Sequence, residues 1–338
     1  MNQLRTGARL AFDALGGAVR VVQDVHRAIA SRSLGAVGEL QNTLAAPVYA
    51  TIRAGLALGG VVAETALHGS TRPLPVGLTG VLNGAVGDRL ASDYPALATR
   101  LHAVLDGPLD GHVVVFVHGL VHTELRWGHR DVAAEVGASA LHVRYNSGLD
   151  ITANGRDLAL LLEELVAEHP ITRLSLVGHS MGGLVARAAV HESLQTGRPW
   201  LPLLRDVICL GSPHLGSPVE RGAALVSSLL GAFPESAPLG ALADLRSAGV
   251  KGLAHGTPFT AAPHVRQHFL AATVAANPDG VTGRLVGDLL VSTASATDPS
   301  QEAERHVLGG ISHGTLLHHP EVRAKLVGFL TSRSEGSG

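Results

Sequence analysis

The chain has 338 residues and a net charge of −2, with 46% hydrophobic and 16% charged residues. Such a chain can bury a large core, and it fits one large domain or a domain with an appendage. With so few charged residues and a slightly negative net charge, the sequence shows no cluster of Lys and Arg of the kind that nucleic-acid binding requires.

The single cysteine and the N-terminal residues bear on the cellular compartment. Cys209 has no second cysteine to pair with, which excludes an intramolecular disulfide and permits the reducing cytoplasm. Asp13 and Arg20 interrupt the apolar stretch near the N-terminus, so we expect no cleaved signal peptide. No apolar window reaches the roughly 20 residues of a membrane-spanning helix. The sequence therefore predicts a cytoplasmic protein.

The first hundred residues carry helical patterns. Apolar residues recur at three to four residue spacing in 10–30 and in 37–68, and a short helical piece is predicted around 78–104. We therefore predict a helical N-terminal extension, 1–104, ahead of a main domain, 105–338. One interpretation is that the extension packs on the main domain. The other is that its apolar faces make peripheral contact with a membrane or cover an active-site mouth.

From residue 111 onward, apolar runs rich in branched residues alternate with helical patterns. Such runs are typical of strands buried on both faces of a parallel sheet. The alternation predicts an α/β fold with a doubly wound, mostly parallel sheet. The predicted strands are 112–119, 140–145, 171–178, 205–212, 269–276 and 306–310. The predicted helices are 154–169, with Asn154 as N-cap, 181–195 and 320–332.

The pattern Gly-x-Ser-x-Gly occurs twice, around Ser180 and around Ser312. Ser180 follows a predicted strand and precedes a predicted helix, which is the strained turn that exposes a nucleophilic hydroxyl at the carboxyl edge of a sheet. Ser312 follows only a short apolar run, and no room remains after it for an acid and a base. Ser180 is therefore the candidate nucleophile, and the alternative is a structural turn.

A nucleophilic serine requires a base and a carboxylate that orients it, and on this type of sheet they follow in the order Ser, Asp or Glu, His. Asp288 and His313 each follow a predicted strand, so they are the candidate acid and base. Asp279 and Asp298 stand in "NPDG" and "TDPS", which are typical of turns. The histidines set aside by position are His306, His318 and His319.

Attack on a carbonyl also requires two backbone donors for the oxyanion. One candidate is the amide of Met181, directly after Ser180. The other is the amide of Leu120, in "VHGL" after the first predicted strand, where Gly119 permits an unusual turn. His118 is interpreted as a residue that shapes this loop.

Together these motifs resemble the α/β-hydrolase superfamily, and within it bacterial lipases and inositol-deacylase-like serine esterases. The resemblance covers roughly residues 110–332 and rests on "VHGL", "GHSMGG", "CLGSPHLGSPVER", "GDLLVSTASA" and "SHGTLLHHPEV". It implies the same roles for Ser180, Asp288 and His313, with oxyanion donors at Leu120 and Met181. It also implies an acyl-enzyme mechanism that requires no metal and no organic cofactor.

A long insertion, 214–265, separates two predicted strands and carries two helical patterns. We interpret it as a helical lid over Ser180, and the alternative is a pair of additional surface helices. Trp127 is a candidate apolar wall of the same cleft, or else a packed loop aromatic. The insertion residues expected to contact an acyl chain are Leu225, Leu229, Leu230 and Phe233.

The sequence therefore predicts hydrolysis of a small-molecule or lipid carboxylic ester, with a lipid-like acyl group, in lipid metabolism. Thioester hydrolysis and acyl transfer to an alcohol use the same residues and stay open as alternatives. A third reading, from another class, is a non-catalytic protein that presents its N-terminal helices to a membrane or a partner. The oligomeric state has no signal in the sequence.

Overall fold

A seven-stranded sheet lies at the centre of the described part of the protein. The computed structural model describes residues 74–216, 247–255, 259–280 and 287–332. The strands are β1 His102–Leu105, β2 Gly111–Val117, β3 Ser139–Arg144, β4 Ile171–His179, β5 Leu204–Leu210, β6 Arg266–Thr273 and β7 Glu304–Gly309. The helices are α1 Val76–Asp93, α2 Val132–Glu135, α3 Ile151–Glu168, α4 Met181–Thr196, α5 Ala248–His255, α6 Thr293–Thr297 and α7 Pro320–Thr331. Short 3-10 turns are Glu124–Arg126, Leu201–Leu203 and Thr315–Leu317.

The strands follow one another across the sheet in the order β1-β3-β2-β4-β5-β6-β7. Every neighbouring pair is parallel except β1 and β3, which are antiparallel. The predicted doubly wound, mostly parallel sheet is therefore confirmed, and all six predicted strands are present with shifted ends. The carboxyl ends of β2, β4, β5, β6 and β7 lie along one edge, where ligand sites form in such sheets.

One strand was not predicted. The helical pattern around 78–104 is correct for α1 but wrong at its end, where β1 pairs antiparallel with β3 and Leu105 lies opposite Leu141. The four residues of β1 are too few and too exposed to give an alternating pattern. The predicted boundary between residues 104 and 105 falls inside this strand.

Alternate residues of the strands pack into different cores on the two faces of the sheet. In β2, Val113, Val115 and Val117 belong to the cluster that includes α3 and α4. Val114 and Phe116 belong to the cluster that includes α2 and α7. Successive side chains of a strand point to opposite faces, so this sheet is covered by helices on both.

The start of α3 corrects the predicted N-cap. Asp150 caps the helix, since its Oδ1 accepts hydrogen bonds from the amides of Thr152, at 2.8 Å, and Ala153, at 3.3 Å. Asn154 lies inside the helix, and its Nδ2 donates to the carbonyl oxygen of Asn146 at 3.1 Å. Both residue types favour the cap position, so the sequence could not decide between them. The cap is Asp150 because the helix begins at the next residue, Ile151.

Several predictions fall outside the described residues. These are the amphipathic stretches 10–30 and 37–68 and most of the insertion, with Leu225, Leu229, Leu230 and Phe233. The described end of the insertion is helical, as α5. Among the described helices, none has the length and apolar character needed to cross a membrane.

Candidate active site

Ser180 lies in the strained turn between β4 and α4. Its backbone angles are φ 54° and ψ −124°, a conformation that residues with a side chain rarely adopt and that costs on the order of 1–3 kcal/mol. The Ser180 amide donates to the carbonyl oxygen of Leu210 at 2.8 Å, which holds the turn against the end of β5. The side chain is 1% exposed, and within the described residues its Oγ has no hydrogen-bond partner.

The glycines of "GHSMGG" allow the start of α4 to approach the sheet. A Cβ at Gly182 would overlap the carbonyl oxygen of Val117, at the end of β2. A Cβ at Gly183 would overlap the hydroxyl of Ser212. The turn therefore brings the positive N-terminal end of α4 directly beneath Ser180, where developing negative charge is favoured.

Asp288 and His313 form a buried hydrogen-bonded pair. Nδ1 of His313 lies 2.6 Å from Oδ2 of Asp288, and both side chains are 1–2% exposed. The other carboxylate oxygen, Oδ1, accepts from the amides of Leu290, at 3.0 Å, and Val291, at 2.7 Å, which fixes the carboxylate. Because a carboxylate only accepts, Nδ1 carries the proton and Nε2 is the acceptor. Within the described residues, Nε2 has no partner.

His179 links this pair to the turn of Ser180. Its Nε2 donates to the carbonyl oxygen of His313 at 3.1 Å, and the two ring centroids are 4.7 Å apart. Burial is the largest cause that holds the pKa of His179 well below its usual range, so the ring is neutral. The structure thus brings Ser180, Asp288 and His313 to one edge of the sheet, from the ends of β4, β6 and β7.

The rejected candidates are engaged elsewhere. Asp279 is exposed in a turn, and its amide donates to the side chain of Asn277. The carboxylate of Asp298 accepts from the hydroxyl of Ser300 at 2.6 Å. The hydroxyl of Ser312 lies 2.7 Å from that of Thr315. None of these groups takes part in a buried carboxylate–histidine hydrogen bond like that of Asp288 and His313.

The loop after β2 lies against Ser180. A Cβ at Gly119 would lie 3.0 Å from Cβ of Ser180, so a side chain at that position would meet the predicted nucleophile. Leu120 is fully buried behind it. Met181 is the first residue of α4, where an amide has no partner within the helix. The two predicted oxyanion donors therefore belong to segments that meet at Ser180.

His118 has the shaping role that its position predicts. Its Nδ1 donates to the carbonyl oxygen of Gly119 at 2.9 Å, and its ring stacks on Tyr145 with centroids 4.3 Å apart. The Tyr145 hydroxyl in turn donates to the His118 carbonyl oxygen at 2.7 Å. Burial lowers the pKa of His118 to about 4, so the ring is neutral at pH 7.

Trp127 takes the second of its two interpreted roles. It is 2% exposed and belongs to the cluster on the α7 face of the sheet. Its ring centroid lies 5.1 Å from that of Phe116. Trp127 is therefore a packed loop aromatic, and the sequence could not decide this because the face that Trp127 covers depends on the turn Glu124–Arg126 before it.

An ion pair in the loop after β2 was not predicted. Glu124 is 1% exposed and accepts two hydrogen bonds from the guanidinium of Arg144, one of them from Nε at 2.8 Å. Burial raises the pKa of the Glu124 carboxyl, but the hydrogen bonds from Arg144 outweigh it and the pKa lies below its usual range. No local sequence pattern links the two residues, because they lie on different segments.

Within the described ranges, no group of three or more His, Cys, Asp or Glu side chains could hold a metal ion.

A known family matches the part of the chain that contains Ser180. The family model described as "Putative serine esterase (DUF676)" matches residues 109–232, from the start of β2 into the insertion. A "Triacylglycerol lipase" of Burkholderia plantarii is 30% identical to this chain over 146 residues, which is 40% of the chain. The match spans only 37% of the length of that lipase.

Solved structures of two bacterial proteins are also similar. The mature form of Bacillus licheniformis lipase BlEst2 is 21% identical with a TM-score of 0.47, over 69% of this chain and 98% of that one. Carboxylesterase CesB (YbfK) of Bacillus subtilis is 14% identical with a TM-score of 0.44, over 75% and 98%. The family model and the lipase relative confirm the predicted resemblance to serine esterases and lipases.

Proposed function

We propose that this protein, which resembles the lipases and serine esterases of the α/β-hydrolase superfamily, hydrolyses carboxylic esters through Ser180. The observation that supports the proposal best is the Asp288–His313 hydrogen bond of 2.6 Å beside a strained serine with an unpartnered hydroxyl. A buried, oriented carboxylate next to a histidine leaves the other ring nitrogen free to take a proton.

In the proposed reaction, Nε2 of His313 takes the proton of the Ser180 hydroxyl as Oγ attacks the ester carbonyl carbon. The carbonyl oxygen becomes an oxyanion that accepts hydrogen bonds from the amides of Leu120 and Met181. His313 then gives its proton to the leaving alcohol, and an acyl-enzyme remains. Water, deprotonated by His313, releases the acid and restores Ser180.

The electrostatics of the pair fit these steps. Asp288 accepts two backbone amides besides His313, so its negative charge is held in place to stabilise the imidazolium that forms after proton transfer. The oxyanion forms above the N-terminal end of α4, whose partial positive charge favours it. Loss of one oxyanion donor is expected to reduce kcat by about 100- to 1000-fold.

The direct test is labelling with a fluorophosphonate followed by peptide mass mapping. We expect one adduct, on Ser180, in the wild-type protein and in the control Ser312→Ala, and none in Ser180→Ala. An adduct on Ser312 contradicts the assignment. If nothing is labelled and no ester is hydrolysed, the proposed function is wrong. The alternative is then a non-catalytic protein that docks on a membrane or a partner.

For the substrate, we propose an ester with a lipid-like acyl chain that the insertion contacts. The proposal rests on the apolar side chains of Leu225, Leu229 and Phe233 in the helical pattern that follows β5. Changing all three to Ser is expected to lower kcat/KM for p-nitrophenyl decanoate much more than for the acetate. The matched control is Leu160→Ser, at an exposed leucine of α3.

An equal loss for both esters contradicts the acyl-chain proposal. The same purified protein separates the related chemistries, because ester, thioester and acceptor-alcohol substrates of one chain length are compared directly. The ester is expected to have the highest kcat/KM. A higher value for the thioester, or ester product in the presence of the alcohol, assigns the triad to thioester hydrolysis or to acyl transfer instead.

A further inference from the structure

The loop after β2, which carries the proposed oxyanion donor Leu120, contains a turn with an unusual residue. The amide of His122 donates to the carbonyl oxygen of Gly119 at 3.3 Å, which closes a turn with Leu120 and Val121 as its central residues. Val121 has φ 57°, in the left-handed region. A turn with positive φ at its third residue normally has Gly there, and a β-branched residue adopts this conformation only under constraint. The turn that carries the Leu120 amide therefore requires support from outside.

Ser147 supplies one constraint. The amide of Val121 donates to Oγ of Ser147 at 3.1 Å, and Ser147 is fully buried in the loop after β3. This hydrogen bond fixes the peptide plane between Leu120 and Val121. Because the Leu120 amide belongs to the preceding peptide of the same turn, its direction depends on that plane.

Helix α1 supplies the second constraint. A Cβ at Gly84 would lie 2.6 Å from the nitrogen, Cα and Cγ1 of Val121, so the helix backbone lies directly against the turn. The helix is held there at two points. Nδ2 of Asn146 donates to the carbonyl oxygen of Gly87 at 2.9 Å, and the hydroxyl of Ser247 donates to the carbonyl oxygen of Gly84 at 2.9 Å.

We propose that Ser147 is a positioning residue for the oxyanion hole, and that α1 presses the Val121 turn onto it. The inference rests on the proposed function, since it concerns the amide of Leu120 in the same reaction. Ser147 acts through Val121 and does not contact the substrate. A donor held in place before the reaction stabilises the transition state more than the bound ester.

Ser147→Ala tests the role through the division between kcat and KM. We expect kcat for a p-nitrophenyl ester to fall about 10- to 100-fold with KM within about twofold, as for weakening of one oxyanion donor. The rate of fluorophosphonate labelling at Ser180 should fall by a similar factor. The control is Ser193→Ala, at a buried serine of α4 whose hydroxyl has no partner among the described residues.

Two glycines of α1 provide a second, independent variant. Gly84→Ala places a methyl group against Val121 and is expected to lower kcat in the same way. Gly77→Ala makes the same change in the same helix where nothing lies within 4 Å, and it should leave kcat unchanged. If Ser147→Ala does not fold, the comparison of kcat between Gly84→Ala and Gly77→Ala tests the proposal instead.

The third variant removes the strain itself. Glycine adopts positive φ without steric cost, so Val121→Gly should hold the turn with less help from Ser147. Ser147→Ala is therefore expected to reduce kcat less in the Val121→Gly background than in the wild type.

The inference is overturned if Ser147→Ala lowers only the melting temperature, or raises KM without lowering kcat, while Ser180 is still labelled. It is also overturned if Gly84→Ala and Gly77→Ala have equal kcat. Absence of labelling and hydrolysis in the wild type overturns the proposed function itself, and the inference with it.

Discussion

In the described part of the chain, two groups of Ser, His and Asp lie in the sheet or at its edge, and their hydrogen bonds run in opposite ways. At the carboxyl edge, Asp288 bonds to His313, and the hydroxyl of Ser180 has no partner within the described residues. Within the strands, the hydroxyl of Ser175 donates to Oδ2 of Asp206 at 3.1 Å and lies 2.9 Å from Nε2 of His112.

In the second group, the direction of the hydrogen bonds prevents His112 from acting as a base toward Ser175. Because the Ser175 proton is directed to Asp206, Nε2 of His112 donates to the serine and cannot take a proton from it. Burial, and then the charge of Arg173, lower the pKa of His112 to about 4. Ser175 also lies in β4, paired in register with neighbouring strands, without the positive φ of Ser180.

The two carboxylates differ in their partners as well. Asp206 bonds to the guanidinium groups of Arg173, at 2.9 Å, and Arg266, at 2.7 Å. Burial raises the pKa of the Asp206 carboxyl, but hydrogen bonds from His268 and Arg173 and the charge of Arg266 outweigh it and the pKa lies below its usual range. Two groups of the same residue types therefore differ in their capacity for nucleophilic chemistry. The partner of the hydroxyl and the strain of the backbone decide it.

The largest effect is expected at the two serines. Ser180→Ala removes the proposed nucleophile and should lower kcat for a p-nitrophenyl ester by about a million-fold. Ser175→Ala, the matched change in the other group, should leave kcat within about threefold, since it touches no reacting atom. Steady-state hydrolysis by both variants checks this. Similar losses in the two would erase the distinction between the groups.

The next effect is at Asp288. Asp288→Asn keeps the size of the side chain but no longer holds His313 in the tautomer with Nε2 as acceptor, so kcat should fall by about 10,000-fold. Asp279→Asn, at an exposed turn, is the control and should have wild-type kcat. Full activity of Asp288→Asn would show that another carboxylate orients the base.

At Asp206 the expected effect is on stability. Asp206→Asn leaves Arg173 and Arg266 without their counter-charge, and the free energy of unfolding should fall by about 2–3 kcal/mol. This is less than for a fully buried pair because the arginine side chains are 26% and 33% exposed. Urea unfolding measures the loss, and kcat of the folded variant should stay within about threefold of wild type. A large loss of kcat at unchanged stability would contradict a structural role.

The smallest effect concerns pH. His112 and His118 have folded-state pKa values of about 4, lowered from 6.5 by burial, so the unfolded chain binds more protons between these values. Stability should therefore fall as pH falls from 6.5 towards 4. His118 is expected to contribute about 1–2 kcal/mol between pH 6.5 and pH 5, and the half-buried His112 less.

Urea unfolding at pH 7.5, 6.5, 5.5 and 5.0 measures this slope. His112→Gln should reduce it, whereas His102→Gln, at an exposed histidine, should not. Equal slopes in all three proteins would mean that folding does not lower the pKa of His112.

Much of the fold and the candidate site could be predicted because the signals are local. A run of branched apolar residues indicates a buried strand by itself, and glycines around Ser180 indicate a tight strand-to-helix turn by themselves. Asp288 and His313 were chosen because each follows a strand, and parallel strands end at one edge. The 2.6 Å bond between them agrees with that choice.

The remaining features depend on which segments become neighbours. The support of Val121 by Ser147, the Glu124–Arg144 pair and the packing of Trp127 on Phe116 each join residues on different segments. The strand β1 likewise pairs with β3, which lies on a different segment. The order of the six parallel strands and the residues of the proposed triad could be predicted from the sequence, since period and turn chemistry act over a few residues. The fold was needed to show which of the two Ser, His and Asp groups has a hydroxyl without a partner among the described residues, because burial and hydrogen-bond partners are set by contacts between distant parts of the chain.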